Sequence, residues 1–118
     1  MLEEYEAAGV SIVAISANDE ATAEETVKEW GLEALTIGYG LDMETAKRWG
    51  LFISSAAKDN EPAHFVEPGL FVVEPDGKLY CSVVQTMPFA RPPAKAFLGT
   101  LKWIIENRYP ARGEAILD

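Results

Sequence analysis

At 118 residues the chain has room for one ordinary core, and a composition of 48% hydrophobic and 25% charged residues places it with globular rather than disordered sequences. A formal net charge of −9 excludes a protein that grips phosphate backbones, which needs a basic face, so no nucleic acid is expected as a partner. No apolar run approaches the length that spans a bilayer and no signal-peptide pattern opens the chain, so the sequence reads as a soluble, cytoplasmic protein without a membrane partner.

The acidic excess crowds the first quarter, at Glu3, Glu4, Glu6, Asp19, Glu20, Glu24, Glu25 and Glu29. Charges at such spacing are the solvated faces of helices. Leu2–Ala8 is a short amphipathic stretch, and Gly9 after it reads as a helix stop. The β-branched run Val10–Ser16 (VSIVAIS) follows, apolar on both alternating faces, as a strand covered on both sides would be. Asn18 or Asp19 then caps a helix that runs to about Trp30, with Ala23, Val27 and Trp30 as its stripe and Gly31 as its stop. Residues 35–40 (LTIGYG) read as a short strand or an extended piece. Asp42 caps a helix carrying Met43, Ala46 and Trp49 on one face and ending at Gly50.

Residues 54–68 read as a long loop. Two β-rich runs in GLFVVEPDGKLYCSVVQ flank Asp76-Gly77, a dipeptide suited to a tight hairpin turn because it tolerates positive φ. Pro92 and Pro93 start a last helix with Phe97, Leu101, Ile104 and Ile105 as its apolar stripe, and residues 107–118 are an exit tail. A strand, crossover helix and strand followed by a hairpin and a helix make an α/β fold, a mixed sheet flanked by helices in a single domain over residues 1–118.

The inventory of reactive groups is small. One cysteine, Cys81, has no partner for an internal disulfide, and with a single histidine, His64, no Cys/His zinc site can be assembled. A Ser-His-Asp arrangement lacks a G-x-S-x-G turn to support it. Cys81 lies mid-strand, where a free thiol usually acts as a small hydrophobe, since reactive thiols need an exposed, electropositive setting. His64 could exchange a proton at neutral pH, but its loop position favours a surface or packing role. Trp30, Trp49 and Trp103 fall on apolar stripes and read as core. Arg91, Arg108 and Arg112 form either an anion patch or a set of charges balancing nearby acids and helix ends.

The segments EYEAAGVSIVAISA, KEWGLEALTIGYGLD, GLFVVEPDGKLY and above all TMPFARP with YPARGE resemble the peroxiredoxin-like branch of the alkyl hydroperoxide reductase/thiol-specific antioxidant family, of the thioredoxin-like superfamily. The last pair is the most specific, and together the segments cover nearly all of the chain. The resemblance implies a thioredoxin-like sheet and an antioxidant oxidoreductase activity that depends on a redox cysteine at a helix N-terminus, where the thiolate is favoured. It also implies that the redox strand, its cysteine loop and most of the following helix would precede Met1, with Leu2–Ala8 as that helix's last turns. The family's first central strand, between Val10–Ser16 and Leu70–Val73, is then missing from residues 1–118.

Members of that family commonly place an arginine ahead of the strand matching Gly69–Val73. This sequence has Glu67-Pro68-Gly69 there. Pro68 instead matches the fold's cis-proline, which shapes the substrate groove, so the resemblance implies a cis Glu67–Pro68 bond. Arg91 is the nearest remaining candidate for an arginine at the site. The expectations are no catalytic residue within the chain, no cofactor, no metal, and a thiol reductant as partner only for a full-length form. Alone, the chain is expected to be inactive. Two further readings stand beside this one: a non-enzymatic interaction or assembly module of thioredoxin fold, and a one-cysteine chemistry at Cys81. Strand edges left without neighbours call for cover from another chain, so a homo-oligomer is expected.

Overall fold

The computed structural model describes residues 2–31 and 34–117, with the side chains of Trp30 and Pro88 outside the description. Helices and short strands share the chain, an α/β composition. They fall into two compact units, Met1–Val66 and Glu67–Asp118.

In the first unit, α1 (Leu2–Ala7) ends in a six-residue closure around Gly9. The Gly9 N–H donates to the Glu6 carbonyl (2.9 Å) and the Val10 N–H to the Tyr5 carbonyl (2.9 Å), with Gly9 at φ 83°. That is the Schellman pattern, which needs a left-handed residue at its turn. It also spends the Val10 amide on the helix end, so β1 covers only Val13–Ile15 rather than the whole apolar run. Val13 and Ile15 are 57% and 51% exposed, against the expectation of a strand covered on both faces. Sequence alternation reports what a face could bury, not whether a layer lies over it.

α2 (Glu20–Trp30) begins where Asp19 accepts the Thr22 N–H at 2.8 Å, and ends at Gly31 in the left-handed region. It leads into β2 (Thr36–Gly38), which pairs in parallel with β1, Val13 against Thr36 through Ile15 against Gly38. The ladder runs on irregularly, with Ser16 N–H to the Gly38 carbonyl at 2.9 Å and Leu41 N–H to the Ser16 carbonyl at 3.1 Å. α3 (Met43–Arg48) repeats the same local grammar. Asp42 caps it by accepting the Thr45 N–H at 2.7 Å, and Gly50 and Leu51 close it through the Lys47 and Ala46 carbonyls, a second Schellman end. Tyr5, Ala23 and Ala46 are the buried apolar side chains of this unit among the described residues.

The long loop expected at 54–68 is a hairpin instead. β3 (Ile53–Ser55) pairs antiparallel with β4 (His64–Val66), and the Ala56 N–H to Ala63 carbonyl bond (3.1 Å) extends the ladder inward. Glu61 folds back inside the connection and accepts the Ala57 N–H at 3.2 Å. Small polar residues and a connection without a turn dipeptide hide this hairpin from pattern reading.

The second unit is built on the hairpin of β5 (Gly69–Val73) and β6 (Leu79–Val84). Its turn is a three-residue loop. The Glu74 carbonyl accepts the Gly77 N–H at 2.9 Å, Gly77 sits at φ 89°, and the Glu74 N–H closes onto the Lys78 carbonyl at 2.8 Å. This is the type I turn with a left-handed glycine that favours strand twist. The register shifts between Val72 and Val73, so that Val72 faces Cys81 while Val73 faces Leu79. Tyr80 is the extra residue, and both it and Cys81 are half-buried, breaking the alternation as a bulge does.

A 3-10 turn (Pro88–Ala90) leads to α4 (Ala94–Asn107), which starts one residue after Pro93 and stops at Arg108 in the left-handed region. Leu98 and Leu101 are its buried side chains, at 3% and 4% exposure; of the expected stripe, Phe97 and Ile104 are half-buried and Ile105 is 52% exposed. Trp49 and Trp103, expected in the core, are 43% and 52% exposed, while the expectation for the Trp30 ring lies outside the described side chains.

The expected single mixed sheet is present as three two-stranded ladders among the described residues, one parallel and two antiparallel. No peptide bond among them is cis, so the cis bond implied for Glu67–Pro68 is corrected to trans. No described helix is long and apolar enough to cross a membrane.

Candidate functional site

Chemistry-bearing residues of the second unit gather at the end of the β5–β6 hairpin away from its turn. Pro68 precedes β5 and Gln85 follows β6. The Gln85 N–H donates to the Pro68 carbonyl at 3.1 Å, one step beyond the Gly69–Val84 pair. The same residue's side-chain amide nitrogen donates to the Ala90 carbonyl. Gln85 therefore joins the Pro68 segment to the residue just before Arg91. Two of the sequence candidates are tied into one corner by a residue that sequence reading passed over. A glutamine after a β-rich run carries no periodic signal, and only the fold shows its bridging role.

The amide's orientation follows from its partner. A carbonyl accepts, so the nitrogen must face Ala90. That leaves Gln85 Oε1, which is buried and has no hydrogen-bond partner among the described residues. An unmet buried acceptor costs about 1–3 kcal/mol. Beside this corner Arg91 is exposed, in extended conformation after the 3-10 turn, and Phe89 is 92% exposed.

Cys81 does not belong to this corner. It sits opposite Val72, four residues before Gln85, about 13 Å along the strand at the usual rise. Burial pushes its thiol above the ordinary cysteine range. His64 belongs to the first unit, in β4 opposite Ser55, and is exposed. Among the described residues no group of three or more His, Cys, Asp or Glu side chains could hold a metal ion.

The tail beyond α4 is fastened rather than loose. The Tyr80 hydroxyl donates to the Tyr109 carbonyl at 2.8 Å, and Arg112 Nη1 donates to the Tyr109 hydroxyl at 2.8 Å. The Trp103 and Tyr109 rings meet at 5.6 Å and 52°, a tilted aromatic pair. Arg112 of the YPARGE motif thus serves the tail itself. In the first unit, a groove of about 440 Å³ lies between α2 and β2, lined by Ala23, Val27, Ile37 and Tyr39 together with the charged Glu20, Glu24 and Lys28. The Glu20 carboxylate, and less strongly Glu24, hold the Tyr39 phenol above its ordinary pKa.

No protein-family model, curated protein or solved structure matches the chain.

Proposed function

We propose that the chain is a domain of the peroxiredoxin-like, thioredoxin-fold class that supplies scaffold rather than the attacking thiol of a thiol-dependent peroxidase. A peroxidatic cysteine must be a thiolate, whose sulfur bonds one peroxide oxygen as the O–O bond breaks. The observation that carries the reading is the setting of Cys81, the sole cysteine. It is half-buried in mid-strand, with a thiol pushed up by burial, which is the opposite of what such chemistry needs. The same free, single thiol suits a reducing, cytoplasmic setting. The trans Glu67–Pro68 bond withdraws the groove implied at Pro68, so Arg91, beside the Ala90 that Gln85 ties to the Pro68 segment, is the residue proposed to face a substrate, and a thiol reductant would serve a complete enzyme. A coupled assay with hydrogen peroxide and a dithiol reductant tests the reading. The expected result is no turnover above the uncatalysed rate, in the chain and in Cys81→Ser alike. Turnover that Cys81→Ser abolishes would establish the alternative one-cysteine chemistry instead.

A second reading, a non-enzymatic assembly module, draws on β1. Its apolar outer residues Val13 and Ile15 are more than half exposed, and it pairs with β2 alone among the described residues. No charge or proline guards that edge, the usual protection against pairing with another chain. A second copy is the proposed occupant. Sedimentation at micromolar concentration should show association that Val13→Lys with Ile15→Lys disperses. A folded, monomeric parent would refute this reading and leave the first untouched.

A further inference from the structure

We draw no further inference here: the strongest candidate, the groove between α2 and β2 lined by Ala23, Val27, Ile37 and Tyr39 with Glu20, Glu24 and Lys28, is an open surface groove of mixed charge, and nothing in the structure shows what covers it.

Discussion

The hydroxyl of Tyr80 donates to the carbonyl of Tyr109 across 2.8 Å, fastening the bulged residue of β6 to the chain just past α4. The Trp103 ring, Arg112 on its hydroxyl and the Ile104 carbonyl on its N–H hold Tyr109 as well. Tyr80→Phe removes the bond that reaches across from the hairpin. Trypsin should then cut after Arg108 and Arg112 faster than in the parent, at a temperature where both remain folded. Equal cleavage rates would show that the hydroxyl bond does not restrain the tail.

The helix caps give a pH dependence. The Asp19 carboxyl is held below the ordinary range by hydrogen bonds from Thr22, and Asp42 by those from Thr45. A carboxyl whose pKa falls on folding stabilises the folded state fully above its unfolded value of about 3.9, and that contribution fades as pH drops through the folded value. Asp19→Ala and Asp42→Ala should therefore lower the unfolding midpoint at pH 7. The gap from the parent should narrow between pH 4 and pH 2. A gap that stays constant across that window would exclude the ionised caps as its source.

Two glycines should answer to alanine with opposite signs. Gly50 closes α3 at φ 79° with open space where a Cβ would go, so its penalty is conformational alone, about 1–2 kcal/mol of lost stability. Gly99 lies inside α4, also with open space around a Cβ, where alanine should add about 0.5–1 kcal/mol. Urea unfolding of the two variants measures both. A stabilising Gly50→Ala would contradict the left-handed helix end.

Cys81 should label slowly. Because burial raises its thiol pKa, the thiolate is scarce at neutral pH, and modification by a disulfide reagent should speed up only in alkaline solution. The neutral thiol's contribution to stability is complete below an unfolded pKa of about 8.5 and is lost as pH rises through the higher folded value. Fast labelling at pH 7 in the folded protein would overturn the assignment of Cys81 as a packing residue.

What the sequence made legible is mostly local. Asp19, Asp42, Gly9, Gly31 and Gly50 mark helix ends because capping and left-handed turns involve atoms only a few residues apart. Asp76-Gly77 marked its turn for the same reason, although the loop has three residues and the left-handed one is Gly77 alone. The β3–β4 hairpin was hidden because three-residue strands give too few alternations to stand out from a loop. Leu98, absent from the expected stripe, is buried beside Leu101, one helical turn away. At the candidate corner, Pro68 and Arg91 were visible as residue types, but Gln85 was not. Its role depends on the register that brings Pro68 beside it, a long-range property.

The three-residue loop at Pro75–Gly77 also sets an order of events in time. Closing so short a loop costs little chain entropy, and hairpins of this kind form in about 1–10 μs. β1 has no such near neighbour; it waits until α2 has brought β2 alongside. Through that interval residues 69–84 are the first to pair, while Val10–Ser16 is an apolar ribbon whose amides beyond Val10 wait for β2. The hazard in refolding therefore lies at the start of the sequence. A fresh chain emerging at high concentration would meet its own copies there before it met β2.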